Sequence, residues 1–207
     1  MSDIVLYDYP RSSASYRVRI ALNLAGLSHE RVIVNLLEGE QSGPEHLARN
    51  PQGFVPVLDI DGNRFTQSLA ILEYLDATRG LALLPGDPVR RARIMALAMV
   101  IAVDLHPVCN LSVSNRATSG EEPARTEWMQ EFIGKGLTAF EAMLGGFEQA
   151  PFCSGDRPGL ADLCLIPQLY NADRWGVPLD GMPRIRGVRA ACDRLPAFDE
   201  AHPDRQG

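Results

Sequence analysis

Cysteine is scarce in this chain, and its four copies, Cys109, Cys153, Cys164 and Cys192, form no CxxC pair and no His-flanked zinc pattern. That excludes the commonest metal- and dithiol-based chemistries. The four read as ordinary, mostly buried thiols of a reducing compartment, so a cytoplasmic protein is expected. A basic excess is also missing: 20 Lys and Arg stand against 26 Asp and Glu, a net charge of −6. This argues against broad nucleic-acid binding, which wants a basic face. Long apolar runs are absent as well. The longest, Ile94 to Val103, is about half of what a bilayer needs, so no membrane partner is expected. The start, Met1-Ser2-Asp3, lacks the basic and apolar regions of a signal peptide. No repeat or low-complexity segment occurs. What is present is 207 residues, 45% hydrophobic and 22% charged, ordinary for one large or two small globular domains.

The first eighty or so residues alternate strand and helix. Ile4 to Tyr7 reads as a strand and Ala14 to Ala25 as a helix closed by Gly26. Arg31 to Asn35 is β-branched and reads as a second strand, and Glu45 to Arg49 as a short helix. Val57–Ile60 and Arg64–Thr66 flank Asp61-Gly62, a strong hairpin signal. Ser68 then opens a helix with Leu69, Ile71, Leu72 and Leu75 along it. The order βαβ then ββα predicts a small mixed sheet with helices on its faces. Leu83 to Pro88 reads as a linker between domains spanning 1–84 and 88–207. Beyond it only helical periodicity is found, over Val89–Asn115, Pro123–Phe147, Ala161–Trp175 and Arg184–Leu195. The predicted class is therefore an α/β N-terminal domain plus an all-α C-terminal domain.

Three short motifs carry chemistry. Arg11-Ser12-Ser13-Ala14-Ser15 stands where the first strand turns into the first helix. The first N–H groups of a helix lack partners, so such a turn makes an anion pocket able to hold a thiolate. Helix capping by one serine accounts for the position equally well, although three serines beside an arginine exceed that need. Val55-Pro56 precedes a strand. If that bond is cis, Val55 is free to pair its backbone with an extended peptide; otherwise the proline simply starts the strand. Gln67-Ser68 opens a helix, where N–H groups and a hydroxyl can bind a carboxylate or merely cap.

Taken together, these motifs and the helical second half resemble the glutathione transferase superfamily, whose N-terminal domain is thioredoxin-like. The run Ser12-Ser13-Ala14-Ser15-Tyr16-Arg17-Val18-Arg19-Ile20-Ala21-Leu22 is similar to the zeta class, with its typical Ser-Ser-Cys-Ser-Trp/Tyr-Arg-Val-Arg-Ile-Ala. Further matches are Asn50-Pro51, Gln67 to Ile71, Glu73-Tyr74-Leu75, Asn110-Leu111-Ser112 and Ala161 to Gln168, and the resemblance runs through His202-Pro203. Zeta-class members include maleylacetoacetate isomerases, which act in tyrosine and phenylalanine breakdown, and maleylpyruvate isomerases. The resemblance implies glutathione as cofactor, a small dicarboxylic keto acid as substrate, cis–trans isomerisation as the reaction and a homodimer. Conjugation or dehalogenation of small α-halo acids is the alternative, since it uses the same glutathione residues.

The resemblance also implies roles. Ser12, with Ser13 second, contacts the sulfur; Val55 and Pro56 meet the cysteinyl backbone; Gln67 and Ser68 take the γ-glutamyl end. Gln41, His106, Asn110 and Ser112 are further implied glutathione contacts. Arg174 and Arg11 face the substrate carboxylates, and no metal is implied. Ser12, Ser13 and Arg174 carry the catalysis. Arg17 and Arg19, at i,i+2 spacing, are expected on different helix faces as structural or surface ion pairs. Two departures stand out. Ala14 replaces the Cys of many zeta members, at little expected cost because glutathione brings its own thiol. Gly159 replaces the usual Ser or Thr of a capping box with Asp162, for a small expected folding cost. Some maleylpyruvate isomerases carry an arginine near Ser112; its absence favours maleylacetoacetate.

Overall fold

Four short strands make one mixed sheet in the order β2-β1-β3-β4: β1 (Val5–Asp8), β2 (Glu30–Ile33), β3 (Val57–Ile60) and β4 (Asn63–Thr66). The protein is described by a computed structural model over residues 3–148 and 151–206. Residues 1–2, 149–150 and 207, which the two expected domains include, lie outside the described residues. The chain divides into two units, one running to Leu81 and joined by the tail from Leu195, the other Ala82–Arg194.

In the first unit β1 pairs parallel with β2, Val5 opposite Glu30, which requires a crossover. Helix α1 (Ser13–Leu24) supplies it. It stops as Gly26 takes φ +65 and the Leu27 N–H reaches back to the Leu22 carbonyl, a Schellman closure. Strand β2 begins and ends earlier than its β-branched run suggests, because pairing with β1 sets its limits. Helix α2 (Pro44–Arg49) follows a 3₁₀ turn at Glu40–Ser42. Asp61 and Gly62, at φ 52 and 72, are the two left-handed residues of the β3–β4 hairpin. Helix α3 (Ser68–Arg79) follows β4 and closes at Gly80. Leu6, Val18, Ile20, Leu22, Leu58, Ile71, Leu72 and Leu75 form the core.

The tail belongs to this unit, not to the helical half with which the sequence grouped it. Its helix, Pro196–Ala201, packs on α1. Arg19 Nε donates to the Ala201 carbonyl and Asn23 Nδ2 to that of Ala197, both at 3.0 Å. Periodicity within one segment cannot reveal which distant helix it docks on.

The second unit is helical: α4 (Pro88–Met99), α5 (His106–Val108), α6 (Leu111–Thr118), α7 (Ala124–Leu144), α8 (Leu160–Arg174) and α9 (Pro183–Cys192). Asp87 caps α4 by accepting the Arg90 N–H at 2.9 Å, with Pro88 at the first helical position. The expected single run Val89–Asn115 is interrupted. Val100–Leu105 is π-helical, with the His106 N–H bonded five residues back to Ile101, just before the donor-less Pro107. Gly136 lets α7 approach this segment, since a Cβ there would stand 2.6 Å from Leu105 Cδ2. Asp162, fully buried at the start of α8, accepts the N–H groups of Cys153 (2.9 Å) and Gly159 (2.8 Å). A Cβ at Gly159 would sit 3.0 Å from the Leu83 carbonyl oxygen, so the glycine suits a close backbone approach. Among the described residues no single helix is long and apolar enough to cross a membrane.

Candidate active site

The sheet register brings three chain segments to one end of the first unit. Tyr7, near the end of β1, faces Val57 at the start of β3, and Val57 faces Thr66 at the end of β4. Residues that follow β1, precede β3 and follow β4 therefore leave the sheet at the same edge. These are the turn into Ser12, the Val55-Pro56 pair and the Gln67-Ser68 pair.

Ser12 is the N-cap of α1, and its Oγ accepts the Ser15 N–H at 3.2 Å. Capping and an anion pocket thus do not compete. A serine hydroxyl has one proton to give. With an N–H already donated into its oxygen, Ser12 keeps that proton to give. The first turn of α1 holds no acidic residue to offset its partial positive charge. Ser13 is buried and Arg11 is exposed. Arg11 has no ion-pair partner among the described residues. Asp8, buried behind this turn, accepts two bonds from Arg19 Nη1 (2.7 and 2.9 Å) and one from Arg31 Nε (3.0 Å). Arg19 Nη2 donates to the Pro10 carbonyl at 2.9 Å, which fixes the turn leading to Ser12. Burial lowers the Arg19 pKa, with Asp8 opposing.

The Val55–Pro56 bond is cis. Among the described residues neither the N–H nor the C=O of Val55 has a backbone partner. The loop before it is held from below. Asn50 Nδ2 (2.9 Å) and His46 Nε2 (3.0 Å) both point to the Phe54 carbonyl, which can only accept, so His46 carries its proton on Nε2. Gly53 takes φ +67, and a Cβ there would stand 3.1 Å from the Gln41 carbonyl oxygen. Gln41 thus flanks the loop, and its side-chain Oε1 is buried with no hydrogen-bond partner among the described residues.

Gln67 holds φ 67, ψ 113, a region that a non-glycine side chain rarely occupies. Its Nε2 donates to Gln52 Oε1 at 2.8 Å. Ser68, nearly buried, receives Arg17 Nη1 at its Oγ at 3.1 Å. Of the two α1 arginines, Arg19 forms the expected structural ion pair, with Asp8. The two face different ways, but both are buried, and Arg17 turns to α3.

The remaining candidates lie in the second unit. His106 opens α5, Asn110 precedes α6 as its N-cap, and Ser112 is exposed in the first turn of α6. Arg174 is the exposed last residue of α8, its guanidinium 5.9 Å from the Tyr170 ring centroid, with no ion pair among the described residues. Sequence reasoning singled out neither His46 nor Gln52, and read Arg17 only as a structural or surface ion pair. Only Asn50, through Asn50-Pro51, carried any signal of that loop.

All four cysteines are free. Burial pushes the Cys109 thiol up to about 12 and those of Cys153 and Cys192 well above their ordinary value. These three offer no thiolate near neutral pH. No cluster of potential metal ligands occurs among the described residues.

The chain matches two family models, glutathione S-transferase, N-terminal domain, over residues 2–77, and glutathione S-transferase, C-terminal domain, over residues 122–195. It is 58% identical over 208 residues to maleylacetoacetate isomerase of Rhizobium meliloti (strain 1021), covering 99% of this chain and 98% of that one. It is similar to the holo structure of a maleyl pyruvate isomerase, a bacterial zeta-class glutathione S-transferase (TM-score 0.92, 40% identity, 98% of each chain). Maleylacetoacetate isomerase from Anaeromyxobacter dehalogenans with bound GSH is similar too (TM-score 0.88, 42% identity, 100% and 98% covered). So is the form with bound dicarboxyethyl glutathione and citrate (TM-score 0.87, 41% identity, 100% and 98% covered).

Proposed function

The chain belongs to the glutathione S-transferase family, and on that premise we propose that it is a glutathione-dependent isomerase converting maleylacetoacetate into its trans isomer, fumarylacetoacetate. With that substrate it serves tyrosine and phenylalanine breakdown, as a cytoplasmic homodimer. The observation that carries the reading is the shared edge of the sheet. Two helix-opening hydroxyls there, Ser12 and Ser68, already accept a hydrogen bond from the protein and keep a proton to give.

The residues present fit glutathione. Ser12 offers an O–H at a positive helix end, suited to a thiolate. Val55 offers an unengaged N–H and C=O, suited to an extended peptide backbone. Gln67 and Ser68 open a helix without acidic residues in its first turn, suited to the γ-glutamyl carboxylate. Gln41 Oε1 is a buried acceptor waiting for a donor. His106, Asn110 and Ser112 complete the contacts assigned to glutathione. When bound, glutathione supplies a thiolate whose addition makes the substrate's double bond a single bond free to rotate, and whose departure restores it.

The chain's own residues do the rest. Ser12 holds the sulfur in its ionised form, with Ser13 beside it. Arg174 and Arg11 clamp the substrate's carboxylates and favour the negative charge that develops as the double bond opens. Both are exposed guanidiniums without an ion-pair partner among the described residues. A dicarboxylate also suits the dicarboxyethyl glutathione held by the Anaeromyxobacter relative. Likeness to the maleyl pyruvate isomerase structure favours maleylpyruvate as the second reading; Ser112, standing where some of those enzymes carry arginine, speaks for maleylacetoacetate. Comparing kcat/KM for maleylacetoacetate, maleylpyruvate and an α-halo acid tests the choice. Preference for maleylpyruvate selects the second reading, and turnover of the halo acid alone overturns both.

A further inference from the structure

We propose that Arg17 is a positioning residue that sets the protein's selectivity for a free α-carboxylate at the γ-glutamyl end of its thiol peptide. The proposal rests on the reading of Gln67-Ser68 as the site of that carboxylate. Arg17 comes from the interior of α1, is 2% exposed, and donates from Nη1 to Ser68 Oγ at 3.1 Å, across 51 residues of sequence. A guanidinium can only donate. The Ser68 oxygen must therefore accept on that side, and its proton must turn elsewhere. Ser68 is the first residue of α3, whose opening N–H groups have no intrahelical partners. Its O–H is thereby aimed as one more donor among those of the helix end.

Charge acts in the same direction. No acidic residue occupies the first turn of α3. The Arg17 guanidinium, bonded to the Ser68 hydroxyl, brings positive charge to the same helix end as the helix's own partial one. Arg19, two residues on, cannot serve: its donors are used by Asp8, Pro10 and Ala201. A carboxylate is thus met by a donor with a fixed direction and by a charge held in place. A neutral group at the same position gains neither.

The probes are glutathione and γ-aminobutyryl-cysteinyl-glycine, which keeps the amine, thiol and both peptide bonds but lacks the α-carboxylate. Dissociation constants are measured by titration calorimetry for the full-length protein and its Arg17→Met, Arg17→Gln and Ser68→Ala variants. Arg17→Met is expected to weaken glutathione by about tenfold or more, the size of a charge-assisted hydrogen bond, and to leave the analogue unchanged. Arg17→Gln, which keeps an N–H donor, is expected to recover part of the loss. In a Ser68→Ala background the Arg17→Gln effect shrinks, because the hydroxyl it directs is gone. Should Arg17→Met not fold, the Gln and Ser68 cycle decides alone. Parallel weakening of both ligands, or additive effects of the two substitutions, overturns the proposal while the site reading stands. A native protein that binds both probes equally overturns the site reading, and the proposal with it.

Discussion

Replacing Ser12 separates two jobs that one oxygen performs. Its Oγ accepts the Ser15 N–H at 3.2 Å as the cap of α1, and its O–H is proposed to meet the sulfur of glutathione. A free thiol has a pKa of about 8.5, and bringing it to roughly 6.5 takes about 2.7 kcal/mol of differential stabilisation. The helix end supplies about 0.3–1 kcal/mol, somewhat more when partly buried. One hydrogen bond to a charged acceptor supplies about 1.5–3 kcal/mol. The hydroxyl is therefore the larger share, and no histidine base is needed. Ser12→Ala should raise the pKa of bound glutathione by about one to two units. It should also cost about 0.5–2 kcal/mol of stability through the lost cap. Ser12→Gly discriminates, because glycine at an N-cap loses only a few tenths of a kcal/mol. It should show the full pKa rise with a nearly unchanged melting temperature. The assay is the ultraviolet absorbance of the bound thiolate against pH, beside a thermal melt. An unchanged titration in both variants refutes the reasoning, and a rise in Ser13→Ala alone moves the role to Ser13.

Two other predictions concern the second unit. Arg174→Ala should raise KM for the substrate on the order of 10- to 100-fold and leave glutathione affinity nearly unchanged, as read by steady-state kinetics and calorimetry; equal effects on both count against its role. Asp162 is a test of linkage. Burial raises its carboxyl from an ordinary 3.8 to about 6, outweighing the two backbone N–H bonds that favour the charge. The folded state then binds that proton more tightly than the unfolded one. Its contribution is greatest below about pH 4 and is lost as pH rises through about 6, about 3 kcal/mol in all. Asp162→Asn should flatten stability between those limits in denaturant titrations. At neutral pH it should lose about 1–3 kcal/mol, because an amide nitrogen faces one of the N–H groups that the carboxylate now receives. A variant that keeps the native pH slope shows that another group titrates there.

Local chemistry was legible where a motif is complete within a few residues. The serine cap of α1, its closure at Gly26 and the Asp61-Gly62 hairpin each need only near neighbours, although the helix begins one residue before the Ala14 expected. So did the three motifs of the site, because a strand end and a helix start are both written locally. What the sequence hid depends on distant partners. Strand β2 is limited by its parallel pairing with β1 rather than by its own β-branched run. The tail helix docks on α1 through Arg19 and Asn23, which no periodicity within Pro196–Ala201 can announce. Arg17 and Arg19 read as structural or surface ion pairs, and their burial was not announced because arginine is usually exposed. Both are buried because α3 and the tail helix pack against α1, whose Val18, Ile20 and Leu22 lie in the core. The long helical run after Pro88 broke where Pro107 removes a donor, a signal that was visible but whose π-helical outcome was not.

The most direct test of the central claim is conversion of maleylacetoacetate to its trans isomer by the purified protein, with and without glutathione, while total glutathione is followed. Isomerisation that requires glutathione and returns all of it unconsumed is the predicted result. Conversion at equal rates in its absence contradicts the account.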